Sequence, residues 1–116
     1  MSFVEIATTG NLESGEMKVF NIEGKTILVA RVGDEYYAVD NKCPHLGGDL
    51  SQGVLEGVVV TCPVHHSQFD LSSGQVIRWT DWSGLKLSLS KIFKSPRNLK
   101  TYPVKLDGDK IMVSLK

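Results

Sequence analysis

Every cysteine and histidine of this 116-residue chain lies between positions 43 and 66. Cys43 and His45 are separated by one residue, Cys62 and His65 by two, and 16 residues lie between the two pairs. Thiolate sulfur and imidazole nitrogen are common protein ligands of zinc and iron. Each pair therefore offers one sulfur and one nitrogen, and the four side chains together predict a metal site.

The presence of one Cys and one His in each pair distinguishes between the possible kinds of site. A structural zinc site with two Cys and two His usually pairs Cys with Cys and His with His. Buried thiols or a redox disulfide would leave the two histidines unexplained. An iron–sulfur cluster accounts for them, because two His can replace two Cys on one iron of a [2Fe–2S] centre. His66 could compete with His65 as a ligand, but we interpret it as a solvated neighbour or a partner contact.

The elements that must position these pairs are short β-strands separated by Gly, Asp and Pro turn signals. Apolar and alternating runs predict a meander of hairpins before the first pair, a hairpin beside each ligand loop, and a closing hairpin. The predicted strands are 3–6, 17–22, 26–30, 36–39, 54–55, 58–61, 69–71, 75–77, 101–106 and 110–114. We expect the run 26–30 to be buried on both faces, because it is almost wholly apolar.

Residues 78–98 fit two patterns equally well. Leu85, Leu87 and Leu89 alternate with polar residues as in a strand, whereas a wider set of apolar positions fits one helical face. Trp79 and Trp82 either pack locally or form a docking surface. The basic residues of the overlapping stretch 85–100 form either a solvated face or a contact patch for an acidic redox partner. These basic residues are Lys86, Lys91, Lys94, Arg97 and Lys100.

Two segments resemble the ligand loops of the Rieske [2Fe–2S] family. They are Cys43-Pro44-His45-Leu46-Gly47 and Cys62-Pro63-Val64-His65. The resemblance implies an all-β fold, an antiparallel Rieske-like β-sandwich or barrel with a small loop-rich cluster-binding subdomain. We expect one Rieske domain over residues 1–116. Its cluster-binding subdomain would span about 41–80, its base 1–40 and 99–116, and an insert about 78–98.

The resemblance also implies a role for each matching residue. Cys43 and Cys62 would bind one iron of a single [2Fe–2S] cluster through sulfur. His45 and His65 would bind the other iron through Nδ1, and their exposed edges would form the exit point for electrons. Ser67 matches a position that donates a hydroxyl hydrogen bond to the cluster.

Three positions depart from the high-potential members of the family. Gly48 and Val64 stand where those members carry two further cysteines, which are joined in a disulfide. Phe69 stands where they carry a tyrosine whose hydroxyl is a hydrogen-bond donor. Hydrogen bonds to sulfur raise the potential. We therefore expect a potential in the lower part of the Rieske range, which spans about −150 to +300 mV.

The function implied is that of a soluble one-electron carrier between a reductase and an oxygenase or other oxidoreductase. The chain would not be an enzyme by itself, and we expect a monomer when it is free. The alternatives are a small subunit of a larger reductase, similar to nitrite reductase small subunits, and a zinc-binding interaction module.

Composition and sequence pattern bear on the partners and the cellular location of the protein. Thirteen basic and thirteen acidic residues give a net charge of zero, which argues against nucleic acid as a partner. The chain has no apolar run approaching the roughly 18 residues of a membrane span. Its N-terminus lacks the pattern of a signal peptide, and its low cysteine content favours the cytoplasm.

Overall fold

The computed structural model describes residues 3–44, 48–63, 66–78 and 98–115. Within those ranges the chain forms β-strands joined by turns and two short 3₁₀ turns, Thr9–Asn11 and Leu50–Gln52. The strands are β1 (Phe3–Thr8), β2 (Met17–Ile22), β3 (Lys25–Val32), β4 (Glu35–Asp40), β5 (Val54–Glu56), β6 (Val59–Thr61), β7 (Gln68–Asp70), β8 (Val76–Arg78), β9 (Thr101–Tyr102), β10 (Val104–Asp107) and β11 (Lys110–Ser114). Across these residues, no helix is both long and apolar enough to cross a membrane.

Among the described residues all strand pairs are antiparallel, and they form three sheets. The orders are β1-β11-β10, β2-β3-β4-β9 and β5-β6-β7-β8. The predicted all-β antiparallel fold class is therefore confirmed. The third sheet contains both hairpins that were predicted beside the ligand loops, and its strands all come from residues 54–78.

The middle of strand β3, residues 27–30, separates two apolar cores, which explains why it is apolar on both faces. Leu28 and Ala30 point into one core, which also contains both cysteines and which we call the site core. Ile27 and Val29 point into the other, which contains Tyr102 and which we call the base core. Alternate side chains of a strand point to opposite faces, so the segment that lies between two cores must be apolar on both of them.

The prediction of a simple meander at the N-terminus was wrong for β1. This strand pairs with β11 at the other end of the sequence, with an irregularity between Glu5 and Ala7. The chain that follows β1 bonds elsewhere: the Gly15 amide donates to the Arg31 carbonyl over 2.7 Å. β1 therefore finds its partner through a long-range contact that local turn signals do not encode.

The predicted strand 101–106 is split at Pro103. β9 before it pairs with β4, whereas β10 after it pairs with β11 in a different sheet. Proline lacks an N–H and cannot donate to a ladder, so it marks the point where the chain changes sheets. Its carbonyl still accepts a hydrogen bond from the Ser114 amide over 3.0 Å.

Two hydrogen bonds join the end of the third sheet to residues 98 and 99. The Leu99 amide donates to the Gly74 carbonyl over 2.7 Å, and the Val76 amide donates to the Asn98 side chain over 3.1 Å. The predictions for Trp79, Trp82 and all the basic residues of the stretch except Lys100 lie outside the described residues. Lys100 is exposed.

Candidate metal centre

The first ligand loop, residues 41–53, begins where β4 ends. The Cys43 amide donates to the Gly48 carbonyl over 2.8 Å, and Lys42 forms an isolated antiparallel bridge with Asp49. The Leu50 amide donates to the Asn41 carbonyl over 2.8 Å. The two limbs of the loop are thus paired like a short hairpin, and Cys43 is fixed at the end of that pairing.

The second ligand loop, residues 62–67, connects β6 to β7. The Cys62 amide donates to the Ser67 carbonyl over 2.8 Å, and the Cys62 carbonyl accepts from the His66 amide over 3.1 Å. His66 has a φ of 59°, in the left-handed region that few residues other than glycine adopt. Its side chain is exposed, which agrees with its interpretation as a neighbour of the site.

Both cysteines are buried in the site core. Cys43 is 2% exposed and Cys62 is 1% exposed, although each belongs to a loop. Apolar side chains from several strands complete this core, and they include Leu28, Val39, Leu50, Val60, Phe69, Leu71 and Leu99. The fold therefore brings one sulfur from each loop into a single water-excluded core.

This arrangement fits the sulfur side of a [2Fe–2S] cluster. Such a cluster needs cysteine sulfurs from two loops, and a dry apolar shell around it helps to set its potential. His45 and His65 lie outside the described residues, so their assignment as ligands stays a prediction. Val64, at one of the two disulfide positions, also lies outside those residues.

Ser67 and Phe69 are both fully buried. Ser67 is 0% exposed, and its carbonyl caps the Cys62 amide, so the residue sits at the base of the second loop. Phe69 is also 0% exposed and packs in the same core as both cysteines. Its ring supplies apolar contact and carries no hydroxyl. The role of Ser67 as a hydrogen-bond donor to the cluster stays a prediction.

Two titratable groups near the ends of strands have shifted pKa values. The Ser72 hydroxyl donates to the Asp70 carboxylate and holds the pKa of Asp70 below 3.8, in the turn after β7. Burial, and then a hydrogen bond to Asp40, raise the pKa of Tyr102 well above its usual value. Both groups stabilise strand ends, and neither is in a ligand loop.

Sequence reasoning missed two residues that shape the loops. Asn41 is buried at 4% exposure, and its side chain bonds from the first limb of the loop to Asp49 and Ser51 on the returning limb. Gly53 approaches β6 so closely that a Cβ there would lie 1.9 Å from the Thr61 carbonyl oxygen. A polar residue two positions after the predicted strand 36–39 was a usable signal for Asn41, whereas the contact of Gly53 is visible only in three dimensions.

Most of the chain is similar to known proteins. Residues 2–103 match the profile of the Rieske [2Fe-2S] domain. The chain is 33% identical over 115 residues to the ferredoxin component of a biphenyl 2,3-dioxygenase from Rhodococcus jostii (strain RHA1). That match covers 99% of this chain and 94% of the relative.

Two further comparisons agree with the first. The chain is 29% identical over 113 residues to the ferredoxin component of a naphthalene 1,2-dioxygenase system from Pseudomonas aeruginosa, a match that covers 97% of this chain and 95% of the relative. The solved structure of the ferredoxin of carbazole 1,9a-dioxygenase from Nocardioides aromaticivorans IC177 superposes with a TM-score of 0.82 at 27% identity, covering 100% of both chains.

Proposed function

Because this chain belongs to the Rieske [2Fe–2S] domain family, we propose that it carries single electrons from a reductase to the oxygenase of a multicomponent dioxygenase. It is an electron carrier that holds one [2Fe–2S] cluster, and it is not itself a catalytic component. The observation that carries the proposal is the near full-length match to ferredoxin components of such systems. The aromatic substrates in the names of those relatives are not assigned to this chain.

The proposed ligands are the four residues of the two pairs. Cys43 and Cys62 would hold one iron, and His45 and His65 would hold the other. The burial of both sulfurs in one core supports the first half of this assignment. When bound, the cluster supplies reversible one-electron redox chemistry.

The described residues have a defined part in this function. The paired limbs of the first loop and the two backbone hydrogen bonds of the second hold both cysteines in place. Leu50, Val60 and Phe69 are each 0% exposed and exclude water from the sulfur side. A rigid, dry site changes little when the charge on it changes, and this favours rapid electron transfer.

We also propose that Ser67 donates a hydrogen bond to the cluster, and that residues 41–80 form a cluster-binding subdomain on a base of residues 1–40 and 99–116. The confinement of the third sheet to residues 54–78 supports that division. The content of only two cysteines supports a cytoplasmic location, where thiols stay reduced.

The test is reconstitution with the reductase and oxygenase components of a dioxygenase system from the same source. We expect a red-brown protein, a reduced state with the low average g-value of mixed His and Cys ligation, and substrate oxidation that requires this chain. A coloured protein that reduces no oxygenase, and that copurifies with a large reductase subunit, would contradict the proposed acceptor. A colourless protein that contains zinc would contradict the proposal as a whole.

The ligand assignment has its own test. His65→Cys replaces a neutral imidazole with a thiolate, and the added negative charge should lower the reduction potential. His66→Cys is the matched control one residue away, and it should leave the potential and the EPR spectrum nearly unchanged. The reverse result would move the ligand to His66.

A further inference from the structure

The base of the first ligand loop contains a buried side-chain amide. Asn41 follows β4 and is 4% exposed, although asparagine is mostly found on protein surfaces. A buried amide is costly unless it is hydrogen-bonded. Its side chain makes its bonds across the loop, with residues 8 and 10 positions further along the chain.

These bonds have a defined direction. The Asn41 Oδ1 accepts from the Ser51 amide over 3.0 Å. The Asn41 Nδ2 donates to the Asp49 carboxylate over 3.3 Å. The carboxylate can only accept, so the orientation of the amide is fixed by its partners.

The backbone of Asn41 reinforces the same junction. Its carbonyl accepts from the Leu50 amide over 2.8 Å, and its amide donates to the Thr26 carbonyl of β3 over 3.0 Å. One residue thus joins the limb that leads into Cys43, the limb that returns from the loop, and the strand between the two cores. Cys43 is two residues further along the chain.

We propose that Asn41 is the positioning residue of the first ligand loop, and that its amide holds Cys43 in the geometry that the cluster requires. Asn41 acts through Asp49 and Ser51 and does not contact the cluster itself. This inference rests on the proposed ligand role of Cys43. It extends that role by naming the side chain that keeps the loop closed when the protein is oxidised or reduced.

The first experiment measures release of the cluster. The purified holoprotein is mixed anaerobically with excess bathophenanthroline disulfonate, and the loss of visible absorbance is followed. Asn41→Ala should release iron at least tenfold faster than the unchanged protein, because the limb that leads into Cys43 loses its side-chain bonds to Asp49 and Ser51 on the returning limb. Asn98→Ala is the matched control, since the Asn98 side chain also accepts a backbone N–H bond, over 3.1 Å, but outside the ligand loops.

The second experiment exchanges the amide and the carboxylate. Asn41→Asp places a carboxylate against Asp49, and repulsion should open the loop and speed iron release. In Asp49→Asn the side-chain oxygen at position 49 can still accept from the Nδ2 of Asn41. The rate of iron release should therefore stay close to that of the unchanged protein. The double variant Asn41→Asp/Asp49→Asn restores a donor facing an acceptor with the original net charge, so it should reverse most of the acceleration of iron release caused by Asn41→Asp.

Spectroscopy separates a positioning role from a general loss of stability. The EPR g-values of the reduced Asn41→Ala holoprotein should shift and those of Asn98→Ala should not. Unchanged release and g-values in Asn41→Ala would overturn the proposal. Equal acceleration in Asn98→Ala, or no recovery in the double variant, would overturn it too. If Asn41→Ala does not fold, the exchange series still decides the matter.

A separate variant tests the ligand role of Cys43, on which the positioning role of Asn41 rests. Cys43→Ser should prevent the native cluster from assembling. If Cys43→Ser instead retains the full spectrum of the cluster, then Cys43 is not a ligand and Asn41 cannot act by positioning it. If it loses the spectrum while Asn41→Ala behaves like the unchanged protein, the ligand assignment stands and only the positioning role fails.

Discussion

At the scale of single residues, Tyr102 shows how a side chain can secure a strand of only two residues. Its ring is 5% exposed, and its hydroxyl donates to the Asp40 carboxylate of β4, the strand that β9 pairs with. The ammonium groups of Lys25 and Lys100 lie 5.8 Å and 5.3 Å from the ring centre. A buried hydroxyl and two cations on one ring hold a strand whose ladder alone would be weak.

Tyr102 should make the protein sensitive to alkali. Burial and the bond to Asp40 raise its pKa in the folded chain, whereas the unfolded chain ionises tyrosine near pH 10. Above about pH 10 the unfolded state therefore binds fewer protons, and the free energy of unfolding falls as the pH rises. Urea titrations at pH 8 and pH 11 should show a smaller loss in Tyr102→Phe than in the unchanged protein. The change between pH 6 and pH 8 should match in both, and an equal alkaline loss would contradict this account.

Phe69 supports a second prediction at this scale. It packs at 0% exposure in the site core, and no hydroxyl is present at this position to stabilise negative charge on sulfur. We expect protein-film voltammetry to give a potential in the lower part of the Rieske range of about −150 to +300 mV. A value near the top of that range would mean that some other group supplies the missing stabilisation.

At the scale of elements, the two ligand loops are linked by a close backbone approach. Gly53 closes the 3₁₀ turn at the end of the first loop by donating to the Leu50 carbonyl over 2.9 Å. The same glycine lies against the Thr61 carbonyl, directly before Cys62 of the second loop. The spacing between the loops therefore depends on the absence of a side chain at this position.

Gly53→Ala should separate the two loops. A Cβ at this position would lie 1.9 Å from the Thr61 oxygen, and backbone must move to admit it. We expect a loss of about 2–3 kcal/mol in the free energy of unfolding, with a lower iron content in the purified protein. Gly10→Ala is the matched control, because a Cβ at Gly10 meets nothing within 4 Å. Wild-type stability and iron content in Gly53→Ala would show that the loops adjust independently.

At the scale of the whole molecule, the two cores divide the structural tasks. The site core contains both cysteines, whereas the base core joins β3 and β4 to Tyr102 and to Ile111 and Val113 of β11. β3 contributes to both cores from its opposite faces. A perturbation on one face of β3 should therefore affect the cluster more than the same perturbation on the other face.

Leu28→Ala and Ile27→Ala test this division. Both side chains are 0% exposed, so each truncation should cost about 2–5 kcal/mol. Leu28→Ala opens space in the site core and should also shift the EPR g-values and the visible circular dichroism of the cluster. Ile27→Ala should lower the melting temperature and leave both spectra unchanged. Matching spectral changes in the two variants would show that the cores do not act separately.

The sequence by itself determined the chemistry and the fold class. Two mixed Cys–His pairs, 16 residues apart, indicated an iron–sulfur centre, because zinc sites with two Cys and two His usually pair Cys with Cys and His with His. Alternating apolar runs between Gly and Asp turns predicted the local hairpins, such as β5–β6 and β10–β11, because such pairs need only short-range information.

Only the tertiary structure decided which distant segments meet. The pairing of β1 with β11, the change of sheet at Pro103 and the approach of Gly53 to Thr61 all join residues through space, and local patterns carry no signal for them. Asn41 looked like an ordinary loop residue until its amide was found buried between two limbs. Ligand identity is a property of residue type and spacing, whereas the dryness and rigidity of the site come from long-range packing.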